Sequence, residues 1–232
     1  ITPYIILCTL KMKRYHVPFI LGVLLSMFSL CMACSDDKED ESEYSDWKNR
    51  NEIYFDQIRA IAKDSINQVR RIYGSTWREH SPWRTFLSYS LDSTAMNTSM
   101  DSIYVRILKT GTGTTSPIGS DSCRIFFRGR LMPTSEHPDG YVFTHSGQSS
   151  IFEEIFDHKI STPTLRRPTS FVRGFSTALM NMHVGDLWRV YIPYPLGYNK
   201  SENATIPAYS TLIFEIELLE FYPRGTKVPS WN

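Results

Sequence analysis

The sequence predicts an α+β fold in which a twisted antiparallel sheet of about five strands wraps around one short helix, behind an N-terminal helical extension. Residues 175–182 carry apolar side chains at helical spacing, and Gly185 follows them. Residues 188–193 and 211–221 are rich in alternating β-branched and aromatic side chains, which is typical of strands. Residues 47–73 repeat apolar side chains every three or four positions, which predicts an amphipathic helix.

Changes in composition divide the chain into five parts. They are upstream residues with a signal peptide (1–33), an acidic tether (34–45), a helix-and-loop extension (46–101), the folded domain (102–222) and a C-terminal tail (223–232). A domain of about 120 residues is long enough to bury its own core. In the extension, Gly74 ends the predicted helix, and we expect residues 75–102 to be a loop that contains one short strand at about residues 85–91.

The first part has the pattern of a secretory signal. Met12-Lys13-Arg14 supplies a positive start, and residues 17–33 form a short apolar run. We expect translation to begin at Met12, with residues 1–11 belonging to upstream sequence. A single membrane anchor is the alternative, because the apolar run is near the lower length for a spanning helix.

The junction after this run resembles the end of a bacterial lipobox. Ala33 precedes Cys34, the residue that would carry the lipid, whereas Cys31 stands where leucine is usual. The acidic run 35–43 resembles the surface-export signal of Bacteroidetes lipoproteins. These resemblances imply a protein of the cell envelope, anchored to the outer membrane by a lipid on Cys34 and exported to the surface.

Several classes of function are disfavoured by charge and motif content. The net charge is +1 and the basic residues are dispersed, so no electrostatic basis exists for nucleic-acid binding. The six histidines show no metal-ligand spacing, and no glycine-rich phosphate loop is present, so no metal and no cofactor are predicted. Cys123 is the only cysteine outside the leader, and its place on a predicted strand favours a buried structural thiol.

A series of short motifs between residues 171 and 219 resembles the C-terminal half of an FKBP-type peptidyl-prolyl isomerase domain. The motifs are Phe171-Val-Arg-Gly-Phe175, Leu179 with Met182 and Gly185, Ile192-Pro193, Gly197-Tyr198, Ile206-Pro-Ala208 and Thr211-Leu-Ile-Phe-Glu-Ile-Glu-Leu-Leu219. Further upstream, residues 104–113, 121–131 and 139–143 resemble the family's first strand, its next strand and its D-G-x-x-F turn. The resemblance covers residues 102–222 and implies an FKBP-like sheet.

The resemblance implies an isomerase that acts on proline-containing polypeptide clients and helps them to fold. Such an enzyme needs no nucleophile, because rotation about an X–Pro amide breaks no covalent bond and only has to cross a barrier of about 18–20 kcal/mol. A dry aromatic pocket disfavours the planar, charge-separated amide relative to the twisted one, and backbone donors hold the turning carbonyl.

The family's motifs also imply a set of pocket residues. The catalytic set is Tyr198, Phe214 and Val172, the last through its backbone N–H. The substrate-binding walls are Phe127, Phe143, Phe171, Phe175 and Ile206. For each residue taken alone, packing in the core is an equally good interpretation, and it is their joint recurrence at lining positions that favours a pocket.

Three residues depart from the family pattern. Phe127 lacks the hydroxyl of the usual tyrosine, Thr144 replaces an aspartate, and Ala208 replaces a second proline. An alternative function is therefore a catalytically weak or inactive FKBP-like binding module, and a purely structural lipoprotein is a third. The extension helix leaves two possibilities open, because it can pair with a second copy or pack on its own domain.

Overall fold

The structure is a computed structural model that describes residues 42–91 and 98–231, which belong to one compact unit. The predicted signal peptide, the lipidation site at Cys34 and most of the acidic tether lie outside the described residues. Within those described ranges, no helix is long and apolar enough to cross a membrane.

Seven strands of the described residues form one antiparallel sheet. They are β1 (Trp83–Leu87), β2 (Ser102–Lys109), β3 (Ser122–Arg130), β4 (Val142–His145), β5 (Thr164–Arg166), β6 (Leu187–Ile192) and β7 (Leu212–Tyr222). The order across the sheet is β1-β2-β6-β7-β3-β4, and β5 pairs with β3. The antiparallel pairing confirms the predicted α+β class. One of the seven strands, β1, comes from the extension.

Four α-helices accompany the sheet in the described residues: α1 (Trp47–Tyr73), α2 (Trp77–His80), α3 (Phe152–Ile155) and α4 (Arg173–Leu179). Helix α4 packs on the inner face of the sheet, where Phe175 and Leu179 share a core with Phe214 of β7. Gly174 permits this close packing, because a Cβ at that position would collide with the side chain of Ile192.

Helix α1 packs on the outer face of the same sheet. Its apolar residues Phe55 and Ile66 form a second core with Tyr191 and Ile213. The side-chain amide oxygen of Asn51 accepts a 2.7 Å hydrogen bond from the Thr211 backbone N–H, which ties the helix to the start of β7. Of the two possibilities left open by the sequence, the structure shows the helix packed on its own domain.

Strand β7 faces two different environments because successive side chains point to opposite faces of a strand. Phe214 and Ile216 face the inner core, and Ile213 and Glu215 face outward. Glu215 is fully buried on the outer face and pairs with three guanidinium groups, at 2.6 Å for Arg130, 2.9 Å for Arg189 and 3.1 Å for Arg128.

Some short elements have no counterpart in the sequence prediction. Helices α2 and α3 have four residues each and β5 has three, which is too short for a hydrophobic period to be visible. The extension strand β1 occupies residues 83–87 rather than 85–91. Its position depends on pairing with β2, from Trp83 opposite Arg106 to Leu87 opposite Ser102.

Candidate functional site

Five phenylalanine rings meet between the inner face of the sheet and helix α4. Phe171 and Phe175 stack with centroids 4.2 Å apart, and Phe175 meets Phe214 edge-on at 5.0 Å. Phe143 meets Phe214 at 5.6 Å, and Phe127 meets Phe175 at 5.9 Å. These distances lie within the range of favourable aromatic pairs. We call the five rings the phenylalanine cluster.

A glycine in β3 makes room for this cluster. Gly129 lies opposite Phe214 in the pairing of β3 with β7. A Cβ on Gly129 would lie 2.5 Å from Cε1 of Phe214 and 2.8 Å from Cζ of Phe143, closer than real side chains approach. The two rings can therefore close over the strand only because this position has no side chain.

Val172 presents a backbone N–H beside the cluster. The residue has extended backbone angles (φ −61°, ψ 152°) directly before α4, and its side chain packs against the inner core. Its carbonyl accepts a 3.0 Å hydrogen bond from Ser176 N–H. Within residues 42–91 and 98–231, the Val172 N–H has no hydrogen-bond acceptor, which leaves it available to a bound carbonyl.

The loop between β6 and β7 places the last two predicted site residues differently. Ile206 is 3% exposed and belongs to the inner core, where the side chain of Asn203 accepts its N–H at 2.9 Å. Tyr198 is 42% exposed and lies just after the 3₁₀ turn Tyr194–Leu196. The structure thus brings seven of the eight predicted pocket residues into one core cluster and leaves Tyr198 at the surface.

Thr144 lies next to the phenylalanine cluster. It pairs with Gly129 across β3 and β4, and its Cγ2 would be 2.8 Å from a Cβ placed on that glycine. Close by, the Ser146 hydroxyl accepts the Phe127 backbone N–H at 2.8 Å. The departures at positions 127 and 144 therefore lie side by side at the cluster, and both substitutions make this wall less polar than the family pattern.

A cavity of about 540 Å³ adjoins Ile206. Tyr44 and Tyr141 form one side of it, and residues 202–207 form the other. Burial and the neighbouring Glu43 carboxylate raise the pKa of the Tyr44 hydroxyl. Tyr141 lies inside the D-G-x-x-F motif, so a sequence motif could have indicated that it lies near the site. No motif pointed to Tyr44, because only the fold brings it to a loop about 160 residues away in the sequence.

One group of the described residues has side chains spaced as metal ligands. The ligand atoms of Glu43, Glu136 and His137 lie within 4.8 Å of one another. Glu43 is already engaged, because its carboxylate lies 2.8 Å from His137 Nδ1 and accepts the Thr134 hydroxyl. Burial by itself raises the pKa of Glu43, but these hydrogen bonds outweigh it and leave the pKa below the ordinary value. The arrangement works as a hydrogen-bonded cluster that holds residue 43 on the domain.

Comparison with known proteins finds a family match over the part of the chain that contains the phenylalanine cluster. Residues 113–219, which include all eight predicted pocket residues, match the family model of the FKBP-type peptidyl-prolyl cis-trans isomerases. The chain contains an FKBP-type domain. Helix α1 and strands β1 and β2 lie before the matched residues and add a second core to this domain.

Relatives of the FKBP-type domain occur in distant organisms. The chain is 33% identical over 124 residues to the macrophage infectivity potentiator of Trypanosoma cruzi, covering 53% of this chain and 54% of that protein. It is 29% identical over 136 residues to the FKBP-type 22 kDa peptidyl-prolyl cis-trans isomerase of Escherichia coli K12, covering 58% and 57%. The chain therefore spans about half the length of the curated relatives it matches.

A solved structure is also similar. The crystal structure of a peptidyl-prolyl cis-trans isomerase from Pseudomonas syringae pv. tomato is 30% identical, with a TM-score of 0.40. The match covers 51% of this chain and 74% of that chain.

Proposed function

We propose that the FKBP-type domain is a peptidyl-prolyl cis-trans isomerase that acts on proline-containing polypeptides of the cell envelope. The observation that carries this proposal is the phenylalanine cluster beside the Val172 N–H, which has no acceptor among the described residues. An apolar enclosure with one free backbone donor suits an amide that has to lose its planarity.

In the proposed mechanism, the proline ring of the client packs against the half-buried rings of the phenylalanine cluster, Phe127, Phe143 and Phe171. The surrounding rings exclude water, which favours the twisted amide because it is less charge-separated than the planar one. The Val172 N–H donates to a client carbonyl, and the Tyr198 hydroxyl donates to a second one. Each of these hydrogen bonds contributes about 0.5–1.5 kcal/mol. No covalent intermediate, metal or cofactor takes part.

A second candidate function is a binding module on the same scaffold that captures a peptide without turning it over. Phe127 and Thr144 favour this alternative, because they replace the polar pair of the family at adjacent places in the wall. The loss of both partners leaves no buried polar group unpaired, so the pocket can remain stable and bind ligands after catalysis is lost.

Turnover of X–Pro peptides distinguishes the two functions. The full chain is assayed with a panel of X–Pro peptides in a protease-coupled assay, against uncatalysed isomerisation times of roughly 10–100 s. The double variant Phe127→Tyr with Thr144→Asp restores the family pair, and each single variant is its control at matched stability. The double variant should gain activity and Thr144→Asp alone should not, because a lone buried carboxylate is penalised.

The outcomes separate the hypotheses. Activity in the wild type supports the isomerase. If the wild type does not turn over X–Pro peptides while the double variant does, the protein is a binding module. If the wild type and the double variant are both folded and neither turns over X–Pro peptides, the phenylalanine cluster is not an isomerase site.

We further propose that Cys34 carries the lipid that anchors the protein to the outer membrane, with the acidic run beyond it acting in surface export. The support is the Ala33-Cys34 junction after the apolar run. Stable anchoring needs more than one acyl chain, as a diacylglyceryl cysteine provides. Metabolic labelling with a fatty acid should mark the wild type and not Cys34→Ser, and equal labelling of the two chains would refute the anchor.

A further inference from the structure

The cavity of about 540 Å³ beside Ile206 has a wall that comes from outside the family match. Tyr44 forms this wall together with Tyr141, and residues 202–207 form the opposite one. The family match begins only at residue 113, and Tyr44 precedes helix α1. The segment before the domain therefore adds a surface to a cavity that a predicted substrate-binding residue also lines. We call it the tyrosine cavity.

Tyr44 is held firmly in this position. The Arg50 guanidinium donates to the backbone carbonyls of the residues on either side of Tyr44, at 2.8 Å and 3.1 Å. The Tyr44 ring meets the ring of Trp47 edge-on, with centroids 4.9 Å apart. The Trp47 indole N–H in turn donates to the Ser210 hydroxyl at 2.9 Å, beyond the loop. The ring of Tyr44 is thus a fixed wall of the cavity.

The opposite wall is a loop closed by its own hydrogen bonds. The side-chain oxygen of Asn203 accepts the backbone N–H groups of Thr205 and Ile206, each at 2.9 Å. The Asn203 N–H donates to the Ile206 carbonyl at 3.0 Å. Both walls are therefore formed before a ligand arrives, which lowers the entropic cost of binding.

The lining of the tyrosine cavity suits a large apolar side chain. Beside the two tyrosine rings, it contains the apolar groups of Ala204, Ile206 and Pro207. Aromatic rings pair favourably with one another at such walls. Among the lining residues in the described part of the chain, Glu202 alone is charged, and this exposed carboxylate disfavours an acidic ligand. An aromatic side chain therefore fits the cavity best.

The position of the tyrosine cavity relates it to the phenylalanine cluster. Tyr141 and Phe143 both pack against the inner core, and they lie two residues apart, so their Cα atoms are at most about 7 Å apart. An extended peptide advances by the same distance over two residues and presents both of those side chains on the same side. A client whose proline packs against Phe143 thus directs a side chain two residues away towards Tyr141 and Tyr44.

We propose that the tyrosine cavity binds an aromatic side chain that lies two residues from the proline of the client. Tyr44 is the specificity-determining residue, because it adds a wall that lies outside the residues matched to the family. The place of the proline rests on the proposed function, whereas the cavity does not. The client is therefore recognised by more than its X–Pro pair.

The test uses the full chain and alanine-based peptides with a single proline. One phenylalanine is placed two residues before the proline, two residues after it, or directly beside it, and the peptide without phenylalanine is the reference. Calorimetry measures binding, and NMR exchange measures turnover without a protease. Phenylalanine at one of the two distant positions should tighten binding by about tenfold, and glutamate there should not. The gain should appear in KM rather than kcat, because the cavity holds both isomers alike.

Variants of Tyr44 locate the preference. The ratio of affinities for the phenylalanine and alanine peptides is compared within each variant, so that a general loss of binding cancels. Tyr44→Ala should reduce this ratio to about twofold or less, and Tyr44→Phe should keep it, because the ring remains. The control is Tyr73→Ala, which removes an exposed tyrosine of α1 outside the cavity and should leave the ratio unchanged.

The outcomes separate this proposal from the proposed function. Turnover without any preference at the distant positions overturns the tyrosine cavity and leaves the isomerase in place. A preference in binding that depends on Tyr44, without turnover, supports the cavity and refutes the isomerase. A preference that survives in Tyr44→Ala, or that arises only directly beside the proline, overturns the cavity. If the folded wild type binds none of the peptides, both proposals fail.

Discussion

At the scale of single residues, the Val172 N–H offers the cleanest test of the proposed pocket. Its φ of −61° matches the angle that proline requires, and Phe171 before it is already extended. The variant Val172→Pro should therefore fold normally and lose one donor to the client. Turnover of X–Pro peptides should fall by about threefold to tenfold, the value of one hydrogen bond.

The control for this variant is Val172→Ala, which removes the side chain and keeps the N–H. Turnover should stay closer to that of the wild type than in Val172→Pro, at equal stability of the two variants. If both variants lose activity equally, the N–H has no part in holding the client.

Cys123 on β3 gives a second prediction at this scale. It is a free thiol with no exposed surface, as the sequence led us to expect, and burial together with the charge of Asp121 raises its pKa to about 12. Because the thiolate is the reactive form, alkylation by iodoacetamide at pH 8 should be at least about 100-fold slower in the folded chain than in guanidinium. Peptide mass mapping measures the rate at this cysteine alone, and equal rates would contradict the buried position.

At the scale of elements, the stability of β7 in the sheet depends on the charge of Glu215. Burial by itself raises the pKa of this carboxyl, but the hydrogen bond from Arg130 and the charges of Arg130, Arg128 and Arg189 outweigh it and lower the pKa. A lowered pKa in the folded state means that the carboxylate contributes its full stability above the ordinary pKa of 4.5. That contribution is lost as the pH falls through the lower folded value.

The variant Glu215→Gln tests this network. It should reduce the free energy of unfolding at pH 7 by about 3–5 kcal/mol, because the buried guanidinium of Arg130 and the partly buried ones of Arg128 and Arg189 lose their shared anion. The difference from the wild type should shrink as the pH is lowered below 4.5, which urea titrations at several pH values would measure. Glu52→Gln, which removes an exposed 3.8 Å pair with Lys48, should change stability by at most about 1 kcal/mol.

At the scale of the whole molecule, the extension and the FKBP-type domain should unfold together. Helix α1 shares its core with β2, β6 and β7, and Phe55 lies at its centre, fully buried and 5.6 Å from Tyr104. Phe55→Ala should therefore lower the free energy of unfolding of the entire unit by about 3–5 kcal/mol, in one transition. Far-UV and near-UV circular dichroism should report the same midpoint.

The matched control is Ile61→Ala on the same helix, where the side chain is 54% exposed. Its effect should stay within about 0.5 kcal/mol. An early transition in which α1 melts and the rest of the sheet persists would show that the extension is an independent unit.

Local patterns determined much of this protein. The three- and four-residue period of α1, the alternation in β6 and β7 and the glycine after α1 are properties of neighbouring residues, so the sequence by itself predicted those elements. The family resemblance, carried by motifs in residues 121–131, 139–143 and 171–219, likewise predicted which aromatic residues would meet, and the structure places the five phenylalanines together.

Contacts between distant segments were decided only by the tertiary structure. Strand β5 is three residues long and exists through its pairing with β3, and the buried charge of Glu215 is tolerated only because three arginines from β3 and β6 reach it. The cavity lined by Arg84 and His183 exists only because the fold brings the segment after α1 next to the end of α4. A local pattern cannot encode such neighbours, because the hydrogen bonds and charge pairs that hold them join residues tens of positions apart.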